Sequence, residues 1–302
     1  MLTFDDVVNA PVGKLKEAAD DWSEMVTKLE KLADDARQGM KAKSDKARWQ
    51  GVNSDVTKPF IGKTAKEFED AGAQAKGIKL LLADAHTSFK TAKDALVRIR
   101  DEEGPAAGIH VDAKGKVTPR RDLESDIAAR HDPYYSEALR KQNDAVSSWQ
   151  RKIDRIVEDC SDADESLKRA LAANVKDDHN FTAPKYKSLD AEQVDRALGL
   201  MKKVTGDGGT ARNVAALREL EDLLDDNRND PEFAPDFYRK LGAEGTLESY
   251  MKMSLDATSS DRPARTGRTW SATSRATWAP CWVSPPRRRH RTTLAPGGPR
   301  SS

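Results

Sequence analysis

The chain has 302 residues, a third of them charged, with a formal net charge of +1 and a mean hydropathy of −0.76. That length allows two domains or one elongated helical assembly, and so polar a composition excludes one broad core in favour of narrow apolar seams. The even balance hides a division: residues 262–302 hold nine Arg, no Lys and no acid, which leaves residues 1–261 with 42 basic and 50 acidic side chains, a net of −8 that speaks against nucleic acid as their partner.

The first element is a helix. Asn9 is placed to cap it, and Pro11 falls in a first turn where a missing N–H costs little. Leu15, Ala18, Trp22, Met25, Leu29, Leu32, Ala36 and Met40 recur at steps of three and four. That spacing gives one apolar face to a helix running to about Lys46, a rod of roughly 50 Å. Gly51, Asn53, Ser54 and Asp55 then supply breakers and capping oxygens. A second helix should start between Asn53 and Thr57, with Pro59 in its first turn. Its stripe is Val56, Phe60, Thr64, Phe68, Ala71, Ala75, Ile78, Leu82, Ala85, Phe89, Ala92, Leu96 and Ile99. Two such helices joined by a few residues fold back as an antiparallel hairpin whose stripes face in a coiled-coil-like seam.

Trp49-Gln50-Gly51 stands between them as the candidate turn and partner-contact motif. The Trp49 ring can close the end of the seam, present itself to a partner, or both, and Gly51 can turn with φ positive. This arrangement resembles the Trp-x-Gly (WXG) family, small helical hairpins exported by type VII (ESX) secretion systems. Over residues 1–101 the resemblance implies a helical hairpin, a protein partner or self-association through it, and a link to the type VII machinery. The family's export signal, Tyr followed four residues later by an acid, belongs after the second helix, where this chain reads Phe89-Lys90-Thr91-Ala92-Lys93. The one match, Tyr186 with Asp190, precedes a new helix that Asp190 should cap with help from Gln193. Family members also stand as N-terminal modules of longer proteins, secreted toxins among them.

Residues 102–130 read as a linker opening with Glu102-Glu103-Gly104-Pro105 and containing a short β-hairpin over Gly108–Val117, turned between Asp112 and Gly115. So short a strand pair must lean on the helices. His110 there reads as a solvated strand residue, since no second His or Cys has metal spacing to it.

Residues 131–258 read as a helical module. A helix from Asp132-Pro133 carries Tyr135, Leu139, Val146, Trp149, Ile153, Ile156 and Cys160, and continues through Leu167 and Leu171 to Asn174. After a polar loop around Lys176–Asn180, a helix from Asp190 carries Val194, Leu198 and Met201. It ends at Gly206-Asp207-Gly208-Gly209, a linker without the Lys-Ser/Thr of a phosphate loop. A helix from Asn213 carries Val214, Leu217, Leu220, Leu223 and Leu224. Asp225, Asn227 and Asn229 alternate as in a calcium loop, but Asp230 replaces the turn glycine and Asp236 the terminal Glu, so the stretch reads as a helix end and the next N-cap. Short helices around Phe233–Leu241 and Leu247–Leu255 complete the module. The succession Asp226-Asn227, Pro231-Glu232-Phe233, Phe237-Tyr238 and Leu241-Gly242 is similar to that in Trp-x-Gly-containing proteins of high-GC, actinobacterial type; the likeness implies kinship and no activity.

Residues 259–302 are expected to be a disordered tail: Arg without Lys, Trp270, Trp278 and Trp282, many Pro, Thr and Ser, and no periodic apolar face. Their composition has a genetic reading. Trp has the single codon TGG, so Thr-Trp pairs hide Leu, Val or Met in the neighbouring frame. Writing Thr269–Pro285 with GC-rich codons and reading from the third base yields an amphipathic helix like the body, as a frameshift near Ser260 would produce.

Cys160 and Cys281 make no disulfide framework, and Cys160 reads as a buried thiol. Met1–Asp6 has neither the basic region nor the apolar core of a secretory signal, and no run approaches the ~18 apolar residues that span a bilayer. The expected location is cytoplasmic, or outside the cell by a leaderless type VII route. No nucleophile elbow, metal cluster, dinucleotide fingerprint or paired-carboxylate context occurs, so no catalytic, metal or cofactor residue is expected and the chain reads as non-enzymatic. The expected fold is mainly all-α: a long antiparallel helical hairpin, a small β-hairpin, a second helical region and the tail. The expected function is a helical scaffold or trafficking module associated with type VII secretion, the N-terminal part of a longer secreted effector or toxin. The alternatives are a cytoplasmic self-associating helical protein, or nucleic-acid or anionic-membrane binding through the Arg-rich tail.

Overall fold

The chain opens with a short helix, α1 (Phe4–Val8), whose start is written in its sequence. The Thr3 hydroxyl accepts from the Asp6 N–H at 3.2 Å and the Asp6 carboxylate accepts from the Thr3 N–H at 2.9 Å, a reciprocal cap. Asn9, expected to start the first long helix, instead closes α1 at its C-terminal end. The computed structural model describes residues 1–47, 51–175, 181–206, 213–228 and 230–258. Over these the fold is mainly all-α, with one two-stranded sheet.

The first arm of the hairpin is α2 (Val12–Asp34), continued by a π-wound stretch, Asp35–Lys41, and one further α segment, α3 (Ala42–Lys46). The second is α4 (Val52–Arg98), 47 residues long. It starts at Val52, one residue before the expected window, so Pro59 lies inside the helix and not in its first turn. There its ring nitrogen cannot donate to the carbonyl four residues back.

The two arms pack along each other, in part by the faces the periodicity selects: Ala36, Ala71, Ala75, Ile78 and Leu82 of the expected stripes are buried, and Leu15, Ala18 and Trp22 pack against Ile78 and Leu82. On α2 the buried positions are Ala19, Val26 and Ala33, seven apart, and Ala36 follows in the π stretch. On α4 the buried positions toward the turn are Ser54, Ala65, Ala71 and Gly72. Met25, Leu32, Met40, Val56 and Phe60, all expected in the seam, are exposed. Small side chains win the seam because they let the backbones approach and keep packing dense; a Cβ at Gly72 would already touch Leu29 at 3.7 Å.

Beyond α4 the chain winds through Ile99–Glu103 and α5 (Gly104–Ala106) into β1 (Ile109–Val111) and β2 (Val117–Pro119), paired antiparallel with Val111 opposite Val117. Asp112 Oδ1 accepts from the N–H groups of Lys114 and Lys116, each at 2.8 Å, and Gly115 turns with φ of 82°. The hairpin is not isolated. Ile109, Val111 and Val117 join Phe4, Val7, Val8, Leu96, Ile99, Ile153 and Cys160 in one core, while His110 faces solvent.

α6 (Tyr135–Asn174) runs 40 residues and packs on α4. Leu81 and Ala85 meet Ala163, Leu167 and Ala170 there, while the neighbouring Ile78 and Leu82 meet Ala19 of α2, so the middle of α4 is buried on two sides. The chain therefore divides into compact units at Gln193–Val194, and α6 shares cores with the hairpin where a separate module from residue 131 was expected. α7 (Leu189–Thr205) crosses this division.

From Val194 onward, α7, α8 (Val214–Asp226) and α9 (Phe233–Thr258) bury Val194, Met201, Leu220, Leu223, Phe233, Phe237 and Met253 together. Asp230 Oδ1 accepts from the N–H groups of Glu232 at 2.7 Å and Phe233 at 3.1 Å, which makes it the N-terminal cap of α9. Gly242, at φ of 74°, breaks α9 into the two segments expected from its sequence.

Candidate functional site

The sequence places the candidate motif in the hairpin turn. Trp49 and Gln50 lie outside the described residues; Gly51 does not. It has φ of 96°, a value that strains any side chain with a Cβ, and its carbonyl accepts from Ser54 N–H at 2.9 Å and Asp55 N–H at 3.2 Å to begin α4. On the other side of the turn, the α3 helix is closed by Ala47, whose N–H reaches Lys43 O at 3.0 Å. Arg37 of the π stretch and Glu69 of α4 form an ion pair from arm to arm.

Both arms near the turn carry apolar side chains on the outside. Val52, Val56 and Phe60, four residues apart on one face of α4, are 79%, 65% and 66% exposed. Met25, Leu32 and Met40 are exposed along the first arm. Inside, Ser44 and Ser54 are buried, and the Ser44 hydroxyl has no hydrogen-bond partner among the described residues.

Four further buried polar residues, Gln74, Ser166, Asn174 and Glu192, lie elsewhere, where α6 and the start of α7 meet α4. Gln74 Nε2 donates to Asn174 O at 2.5 Å, and Asn174 in turn holds the backbone of Tyr186. Glu192, 5% exposed, accepts from Ser166 Oγ at 2.6 Å and from Arg169 at 2.6 and 3.1 Å. Asp84 of α4 accepts the Leu189 N–H at 2.8 Å and Ser188 Oγ accepts the Ala191 N–H at 3.2 Å. Ser188 and, from 105 positions away, Asp84 thus hold N–H groups at the start of α7, and the expected capping residue Asp190 lies inside its first turn. Tyr186 is a buried member of this junction. These groups satisfy one another, which suits them to fix helix positions.

Cys160 is buried against the β-hairpin core, and burial pushes its thiol up to about 11, so it stays protonated and unreactive near neutral pH. Among the described residues no three His, Cys, Asp or Glu side chains are placed to hold a metal ion. No helix among them is long and apolar enough to cross a membrane. No protein-family model, curated protein or solved structure matches the chain.

Proposed function

We propose that this protein is a non-enzymatic helical scaffold whose hairpin docks a helical protein partner, in association with a type VII secretion system. The observation that supports it is the division of apolar residues on the first arm: Ala19, Val26 and Ala33 close the seam, while Met25, Leu32 and Met40 face out at steps of seven and eight. An apolar row at that spacing is what a second helix packs against. The Trp49-Gln50-Gly51 sequence between two long antiparallel helices is the feature that ties the partner to type VII export. On this reading residues 1–193 are an N-terminal module, and a longer gene product would carry the effector.

Pull-down of the tagged chain from its native host tests this. Co-purification of type VII components that falls several-fold on Met25→Asp with Leu32→Asp, and on Trp49→Ala, with helix content kept, supports the reading. Self-association alone, disrupted by the same Asp variants, would instead favour a cytoplasmic self-assembling helical protein. Export unchanged by Trp49→Ala alongside lower stability assigns the indole to the core.

A further inference from the structure

The body of the chain is acidic, yet its hairpin end is not. Over residues 36–47 and 51–70 there are seven basic side chains, Arg37, Lys41, Lys43, Lys46, Lys58, Lys63 and Lys66, against five acids, Asp45, Asp55, Glu67, Glu69 and Asp70, a net of +2 in a stretch belonging to a body of net −8. Some of these cations are paired: Lys41 with Asp45, and Lys63, Lys66 and Arg37 with Glu67, Asp70 and Glu69. Lys43 and Lys46 are exposed without an ion-pair partner among the described residues. On the other arm at the same end of the hairpin the row Val52, Val56 and Phe60 is exposed, and Lys58 of that arm reaches the carbonyl of Ala47, the residue after Lys46, at 3.5 Å.

We propose that this end of the hairpin is a docking surface for an anionic lipid bilayer, with Val56 and Phe60 entering the headgroup layer and the surrounding lysines reaching lipid phosphates. The pattern of one apolar row bordered by Lys and Arg is that of a helix lying in a membrane interface. Cations near an anionic leaflet add attraction in proportion to their number, and lysine stems can lie along the apolar layer while their ammonium groups stay wet.

A protein helix is the other occupant to weigh for this row, because one helical face carries Val56 and Phe60 and, further on, Gln74, Leu81 and Ala85, on which α6 packs. The residues that continue this face between them are Lys63 and Glu67, joined as an ion pair. A helix prolonging the line of α6 would have to bury that pair and would find only three apolar anchors, spread over two turns. A headgroup layer asks for no shaped counterpart and accepts the charges at its boundary, so lipid is the occupant the residues favour.

The test is co-sedimentation of the full purified chain with vesicles of phosphatidylcholine alone and of phosphatidylcholine with about a third phosphatidylglycerol, at low salt and at roughly 0.5 M salt. Binding is expected only with the anionic vesicles and should weaken as salt rises. It should fall about tenfold in each of two variants, Val56→Asp with Phe60→Asp and Lys43→Glu with Lys46→Glu. Circular dichroism checks that helix content is kept; should the Asp pair lose it, Val56→Ser with Phe60→Ser takes its place. Three results would overturn the proposal. One is no binding to anionic vesicles. Another is binding that both variants leave intact, which would place it in the Arg-rich tail. The last is equal, Phe60-independent binding to a DNA duplex or to an acidic helical peptide.

Discussion

Asn174, the last residue of α6, and Tyr186, three residues before α7, hold each other by two hydrogen bonds. The Asn174 Nδ2 donates to Tyr186 O at 2.8 Å and the Tyr186 N–H donates to Asn174 Oδ1 at 2.9 Å. Both residues are buried, and Gln74 of α4 donates to the Asn174 carbonyl beneath them. One side-chain amide thus satisfies both backbone groups of a residue that no strand or helix serves.

Replacing Asn174 by Ala should therefore leave two buried backbone groups unpaired, at about 1–3 kcal/mol each. Asn174→Asp should also destabilise, because a carboxylate oxygen would face the Tyr186 carbonyl where a donor now stands. Denaturant titration checks this; a midpoint unchanged in both variants would mean the pair does not hold the junction.

Gly77 lies where a Cβ would collide with the ring of Pro184 and come within 3.5 Å of Asn174 Nδ2. Gly77→Ala should cost about 1–3 kcal/mol through overpacking, in spite of the better helix propensity of Ala. A rise in Tm for this variant would show that the loop carrying Pro184 moves aside freely.

The two sides of α4 should respond oppositely to one kind of change. Leu82→Asp puts an unpaired charge against Ala19 and Ile78 and should cost several kcal/mol, enough to open the hairpin. Phe60→Asp, on the exposed row, should stay within about 0.5 kcal/mol. Thermal melts of the two variants side by side would reveal equal losses if Phe60 were a seam residue.

Ser44→Ala should be neutral or stabilising, because the buried Ser44 hydroxyl has no partner among the described residues and its removal relieves a desolvation cost of about 1–2 kcal/mol. Hydrogen exchange or a melt that reports destabilisation would point to a partner for this hydroxyl.

Backbone hydrogen bonds from Lys116, and then from Lys114, hold the Asp112 carboxyl below its usual range. A folded pKa below the unfolded one means the carboxylate's contribution is full above about pH 4 and is lost as pH falls through the folded value. Asp112→Asn should thus flatten the stability profile between about pH 5 and pH 2 relative to the parent chain. A profile equally steep in the variant would remove Asp112 from the acid response.

The element types and most helix positions were legible in the chain. Periodic apolar spacing marks α4 and α6, alternation around Asp112 and Gly115 marks the β-hairpin, and Asp230 before Pro231 marks the start of α9. Thr3 and Asp6 spell the start of α1 as plainly, a signal that reading the first helix from Asn9 passed over. The face chosen for the seam was legible only in part: Ala36, Ala71, Ile78 and Leu82 are buried as their spacing implies, but the larger residues toward the turn are not. Periodicity ranks residues by hydrophobicity, whereas the contact between two long helices also ranks them by size, so Ala19, Ala33, Ala65 and Gly72 went in and Met25, Leu32, Val56 and Phe60 stayed out. Nor could spacing reveal Asp84 at the start of α7, or Gln74 beneath Asn174, since both join residues 100 or more positions apart.

By itself the sequence determined what is local: where helices run, where glycine must turn the chain, and that an acidic body ends its hairpin in a cluster of lysines. These follow from backbone preferences and side-chain chemistry within a few residues. Only the tertiary structure decided which apolar residues are core and which are surface, and that α6 belongs with the hairpin. Burial depends on how closely backbones approach and on which distant polar groups satisfy one another, and neither quantity exists until the chain has folded.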